Sequence, residues 1–401
     1  MGLRHRAVLS ALALGLLTCL LPSAGGSSVQ PASKAKARDQ LADSPRPHSK
    51  KVVRKRSTRA AKAAATGRAR RSRRARAYRH HWAESSYADS SFGDRLDGED
   101  LVVRDAAVAA LGALNGSVVV VDPNSGRILS IVNQKLGLSH AEQPCSTIKL
   151  PVAVGALNEG LITRDTQVRL NRRCSMNLTE ALAHSNNRFF EVLGQKMGFA
   201  KFSQYATELG LGELAGYNIP GEQPGVFPGS PARGGGVAKM SSYGLEILIT
   251  PVQLAALAAT VANGGTLYYL QYPRTPEEVE NFRPRVKRQL DIRQLLPDLR
   301  EGMMAAVDHG TGHRAAQPYE TVLGKTGTCS RDNVHLGWFA SYEGREEGKL
   351  VVVVHLRGGH LSGGGEAAEV AGRVYRNLHE RNYAYLKSAP ALPVATADNG
   401  R

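Results

Sequence analysis

Strand-forming runs at both ends of the globular part of this chain, with a long helical stretch between them, constrain its fold most. Gly116-Ser117-Val118-Val119-Val120-Val121 reads as a strand, Asp122-Pro123-Asn124-Ser125-Gly126 has the residues of a tight turn, and Arg127 to Val132 reads as the partner strand. About two hundred residues later come three more candidates: Thr321 to Cys329, His335 to Tyr342 and Leu350 to Leu356, the last two joined by a charged loop from Glu343 to Lys349. A helix from Leu101 to Leu114 precedes the first hairpin, and one from Glu366 to Asn377 closes the chain. Two strands, a helical insertion, three strands and a last helix predict a mixed α/β (α+β) fold. It is a five-stranded antiparallel sheet with helices on its faces plus a helical subdomain.

Within the insertion, Thr250 suits an N-cap and Pro251 the first helical position, so a helix is predicted from there to Val261. Asn177-Leu178-Thr179-Glu180 starts a short helix, and Phe189 to Leu193 continue as helix up to Gly194 or Gly198. Residues 161–177 read as a polar crossing, 208–236 as mostly loop, and 271–300 show no clear period before a helix at Leu295 to Val307.

The 401 residues carry a formal net charge of +17, and the charge is unevenly placed. Residues 31–80 hold 18 Lys and Arg against only Asp39 and Asp43, which accounts for +16 of it. This stretch has almost no large apolar residue and cannot form a core, so residues 27–98 are read as a basic disordered linker. Before it, Arg4 and Arg6, the apolar run Ala7 to Leu21 and the small residues Ser23 to Gly26 have the order of a secretory signal. Residues 1–26 are therefore read as a signal peptide or an uncleaved membrane anchor, with Cys19 as a poor acylation site. Behind an export signal, the basic stretch is better suited to anionic lipid or wall polymer than to nucleic acid, and no specific nucleic acid is expected. Residues 99–386 are read as the folded domain and 387–401 as a disordered tail.

The chemistry centres on Pro144-Cys145-Ser146-Thr147-Ile148-Lys149. A serine and a lysine three apart at a helix start lie on one face. A serine hydroxyl is a weak nucleophile and needs a base, and a lysine can be that base if burial or a nearby cation lowers its pKa. The helix start also favours developing negative charge. Alone, Ser-x-x-Lys is a common pattern. Here it is followed after 39 residues by Ser185-x-Asn187, and after 140 more by Lys325-Thr326-Gly327.

This ordered set resembles the penicillin-binding proteins and serine β-lactamases. The surrounding sequence is more similar to class B penicillin-binding protein transpeptidase domains, through residues 116–131, Ile249 to Leu254, Ala262 to Gly265, His309-Gly310-Thr311-Gly312 and Trp338-Phe339. The resemblance implies that Ser146 is the acylated nucleophile and Lys149 its base, held neutral with the help of Lys325. Ser185 would relay the proton to the leaving amine and Asn187 would hold a substrate amide. Thr326, Gly327 and Thr328 would line the substrate carboxylate site, and the backbone N–H groups of Ser146 and Thr328 would form the oxyanion hole. Two such donors contribute on the order of 3 kcal/mol each in a transition state. Cys145 and Cys329 would form a disulfide, with Cys174 free or competing. Glu222 sits near the spacing of a deacylating glutamate, but its Gly/Pro context points to a loop. His184 and His335 are read as structural, and neither a metal nor a cofactor is implied.

Class B members also carry a sizeable domain ahead of the transpeptidase domain, whereas the ~20 residues and basic stretch found here are too short for one. The implied function is an exported D,D-transpeptidase acting on peptidoglycan stem peptides, at the periplasmic or outer face of the cytoplasmic membrane, with β-lactams as inhibitors. Alternatives are a D,D-carboxypeptidase or a serine β-lactamase, and, from another class, a β-lactam sensor or wall-binding module.

Overall fold

The computed structural model describes residues 82–344 and 349–383. The expected signal (1–26), most of the expected linker, the tail (387–401) and four residues of the charged hairpin loop lie outside the described residues. The sheet is five-stranded and antiparallel, in the order β2-β1-β9-β8-β7. Its strands are β1 (Gly116–Val121), β2 (Ile128–Val132), β7 (Val322–Arg331), β8 (Val334–Glu343) and β9 (Val351–Gly358). The first hairpin is thus one edge and β7, which carries Lys325 to Cys329, is the other.

Both faces of the sheet are covered, which explains the unbroken valine runs. Successive side chains on a strand point to opposite faces. Val119, Val121, Val351 and Val353 enter one core with the helical insertion. Val118, Val120, Val352 and Val354 enter a second core under α1 (Leu101–Leu111) and α10 (Gly364–Glu380). Asp100 caps α1, its carboxylate accepting from the N–H groups of Val102 and Val103.

Between the sheet's two halves run α2 (Gln134–Ser139), α3 (Lys149–Asn158), the two-residue strands β3 (Val168–Arg169) and β4 (Ser175–Met176), α4 (Leu178–Ala183), α5 (Asn187–Glu208), α6 (Gly236–Tyr243), α7 (Pro251–Ala262), β5 (Thr266–Tyr268), α8 (Pro276–Glu280), β6 (Val286–Gln289) and α9 (Leu296–Asp308). Helix α7 starts with the predicted cap, reinforced by Gln253 into a reciprocal capping box. Every one of its residues is buried, as suits a helix that is apolar all round.

Several sequence expectations are corrected. Residues 82–98 do not continue the linker: Ala83 N–H donates to Asn333 O, Asn115 N–H to Ser86 O, and Asp94 pairs with buried Arg104 at 2.7 Å. The body therefore starts before residue 99. The segment before Ser146 contains α2, capped by Asn133. Residues 161–177 and 271–300 hold β3–β4, β6 and α8, too short to show a period. Helix α5 also runs past Gly194 and kinks at Gly198, whose φ of 75° only glycine adopts easily.

Candidate active site

Ser146 lies in a 3-10 turn, Cys145–Ile148, that leads directly into α3, and Lys149 is the first residue of that helix. Both Cys145 (φ 50°) and Ser185 (φ 53°) hold left-handed backbone conformations, uncommon for residues with a side chain. Strain of this kind concentrates at functional sites. The turn packs against edge strand β7 at Gly327, where a Cβ would stand 2.9 Å from Pro144 O and 3.3 Å from Thr147 Cγ2. Glycine in the third motif is thus what lets the nucleophile's turn reach the strand. Cys145 and Cys329 are joined by a disulfide with Cα atoms 5.6 Å apart, tying turn to strand as expected. Cys174 neither competes for that bridge nor is a free thiol.

Lys149 is fully buried, and its Nζ lies 2.9 Å from Ser146 Oγ, 3.1 Å from Ser185 Oγ, 2.6 Å from Ser185 O and 2.7 Å from Asn187 Oδ1. A neutral amine has two N–H groups and one lone pair. The two carbonyl oxygens can only accept, so they take both N–H groups, and the lone pair is left facing the serine hydroxyls. Burial, and then the cation of Lys325, hold the Lys149 pKa well below the ordinary lysine value. Lys325 is also fully buried and donates to Ser185 Oγ at 2.8 Å and to Thr326 O at 3.0 Å. Burial brings its pKa down to about 7. The result is a continuous line of exchangeable protons: Ser146 Oγ, Lys149 Nζ, Ser185 Oγ, Lys325 Nζ.

The remaining predicted residues fall around this line. Thr326 is hydrogen-bonded through its hydroxyl to Thr311 Oγ1 at 2.6 Å, and Thr328 Oγ1 accepts from Gly364 N–H at 2.9 Å, leaving its own O–H free to donate. Thr311, in the His309–Gly312 stretch, was given no role by sequence. The Asn187 Oδ1 accepts from Lys149, which leaves its amide nitrogen as the group able to reach a substrate. Glu222 is a loop anchor, accepting from the N–H groups of Ala215 (2.6 Å) and Gly216 (3.0 Å). His335 bonds Ser330 Oγ at 2.9 Å and packs against Trp82.

The penicillin-binding protein transpeptidase domain model matches residues 116–378, which contain all three motifs. The chain belongs to that family. Its sequence is 27% identical over 281 residues to stage V sporulation protein D of Bacillus subtilis, covering 62% of this chain and 44% of that protein. It is 24% identical over 309 residues to the peptidoglycan D,D-transpeptidase FtsI of Escherichia coli, covering 67% of this chain and 52% of FtsI. The chain thus spans about half the length of the curated relatives it matches. Among solved structures, the transpeptidase domain of Burkholderia pseudomallei penicillin-binding protein 3 superposes with a TM-score of 0.61 at 20% identity. That match covers 78% of this chain and 98% of the domain, and at this identity it supports the fold alone. No described helix of this family member is long and apolar enough to cross a membrane.

Proposed function

We propose that the protein is a D,D-transpeptidase of peptidoglycan stem peptides, working through a serine acyl-enzyme. Ser146 Oγ attacks the carbonyl carbon of the penultimate D-alanine while Lys149 Nζ takes its proton. The C–N bond to the terminal D-alanine breaks, and the proton reaches that leaving amine through Ser185. An acceptor amine then attacks the ester, forms the cross-link and returns the proton to Ser146. Backbone N–H groups of Ser146 and Thr328 hold the oxyanion, the latter on an edge strand that among the described residues pairs only with β8. Lys325 and the hydroxyls of Thr326 and Thr328 receive the substrate carboxylate, and the Asn187 amide nitrogen its peptide carbonyl. A β-lactam ring opens on Ser146 in the same way.

The observation that carries this reading is the line from Ser146 through Lys149 and Ser185 to Lys325, in which both amines are buried and both pKa values are lowered. Glu222 weighs against a β-lactamase, because its carboxylate is held by the loop's own backbone. The reaction is proposed to take place outside the cytoplasmic membrane, with the apolar N-terminal run as export signal. The basic stretch 31–80 is proposed to contact anionic lipid or wall polymer. Sedimentation of the full chain with phosphatidylglycerol vesicles, or with wall polymer, at low but not high salt checks that contact. Failure to sediment with either at low salt excludes it.

The main test treats the full chain with a fluorescent penicillin, with Ser146→Ala as control. It then follows D-alanine release from a D-Ala-D-Ala stem peptide with and without an amine acceptor. A long-lived adduct absent from the control, with an amine-dependent product, is the expected result. D-Alanine release into water alone makes it a carboxypeptidase. An adduct that turns over within minutes with the drug hydrolysed makes it a β-lactamase, and no adduct removes every enzyme reading.

A further inference from the structure

Immediately before Ser185 in sequence, a histidine converges with a second histidine and a glutamate. Glu180, in the first turn of α4, and His184, its C-cap, are four residues apart and so share a face. His309 ends α9, more than a hundred residues later in sequence. Their facing atoms are close: His184 Nε2 to Glu180 Oε2 is 3.3 Å and His309 Nε2 to Glu180 Oε1 is 3.7 Å. One ligand atom from each residue lies within 4.8 Å of the other two. The imidazoles meet edge to face with centroids 6.0 Å apart.

We propose that Glu180, His184 and His309 form a binding site for a divalent transition-metal ion of the zinc class. Two imidazole nitrogens and one carboxylate oxygen are ligands that zinc accepts, at bond lengths that set tetrahedral donors about 3.4 Å apart. The two imidazoles each face a different oxygen of the Glu180 carboxylate, and one ligand atom from each of the three residues already lies within 4.8 Å of the other two, so small side-chain rotations bring them to that spacing. All three side chains are about half exposed, so the remaining coordination positions open to water.

The backbone beneath is built tightly, which makes the convergence more than a chance meeting of surface side chains. Gly310 has no room for a side chain, since a Cβ there would lie 2.3 Å from Ala183 O. Gly302 likewise abuts the Leu182 side chain, and Thr311 N–H donates to Ala183 O at 3.0 Å. These contacts fix α4 against the His309–Thr311 segment before any ion arrives, which lowers the ordering cost of binding. Both segments continue into the catalytic line: His184 precedes Ser185, and Thr311 bonds Thr326 of the third motif. A bound ion therefore pins the spacing between Ser185 and Thr326. This inference is independent of which acyl acceptor the site uses.

The test is titration of the full, metal-stripped chain with Co2+ and Zn2+, following the visible Co2+ bands and their displacement by Zn2+. The chain contains 12 histidines, so variants assign the site. One tight equivalent is expected for the wild type and for His313→Gln, a neighbouring exposed histidine outside the cluster. Glu180→Gln, His184→Gln and His309→Gln should each weaken it by roughly tenfold or more. Histidine modification by diethyl pyrocarbonate, mapped by mass spectrometry, gives a second measurement that needs no variant: Zn2+ should protect His184 and His309. No binding by the wild type, equal binding by all the variants, or protection of other histidines only, would overturn the proposal.

Discussion

Residues 184 and 185 are neighbours in sequence and belong to two different polar clusters. Ser185 turns inward to Lys149 and Lys325, both fully buried. His184 turns outward to Glu180 and His309, all about half exposed. The inner cluster has its chemistry already, because burial lowers both amine pKa values and the cation of Lys325 lowers that of Lys149 further, without any ligand. The outer cluster has water to solvate its charges and gains chemical character only when an ion binds. The lesson is that residue type sets what a cluster could do, and burial decides whether it does so unaided.

The comparison breaks most easily at the inner base. Lys149→Ala should slow acylation of Ser146 by penicillin on the order of 10³-fold at neutral pH, measured by stopped-flow or gel labelling. A fall of less than tenfold would move the base elsewhere. Next in size is the Cys145–Cys329 bridge, which holds the inner cluster's turn on its strand across 184 residues. The Cys145→Ala/Cys329→Ala double variant should lose about 2–5 kcal/mol of stability in denaturant melts, the usual cost of removing a native bridge.

A buried histidine sharpens the contrast. His355 has no exposure and stacks on Trp338, and burial together with Arg357 pushes its pKa from 6.5 down to about 3. The folded state thus keeps it neutral where the unfolded chain takes a proton. That contribution is fully present above pH 6.5 and is lost as pH falls toward 3, at up to ~1.4 kcal/mol per pH unit. His355→Gln should flatten stability against pH in that window, measured by denaturant midpoints. Smallest of all, Glu180→Gln in metal-free buffer should change penicillin acylation by no more than ~3-fold, since its carboxylate touches no reacting group. A larger effect without metal would join the two clusters into one.

The inner cluster was legible in the sequence because its residues sit in short motifs whose order and spacing are informative. The sheet was legible because the valine runs and the turn at 122–126 give a strand signal that tertiary packing does not reverse. The outer cluster was not, since only Glu180 and His184 are close in sequence and His309 reaches them through the packing of α9 on α4. Asn187 was recognised, but its bond to Lys149 depends on a left-handed turn at Ser185 that no local pattern announces. Helix α2 and the two-residue strands are too short for periodicity. Residues 82–98 read as linker because their polar side chains cap and pair with the body rather than filling its core.

Lys149 is held neutral by burial and by the charge of Lys325. This is tested most directly by the pH dependence of Ser146 acylation by penicillin, in the wild type and in Lys325→Gln. The rate of the wild type should rise with pH through a midpoint far below the ordinary lysine value of 10.5. In Lys325→Gln that midpoint should move upward, because removing the neighbouring cation makes Lys149 easier to protonate. A wild-type midpoint near 10, or one that stays in place when Lys325 is neutralised, would mean that neither burial nor Lys325 keeps Lys149 neutral.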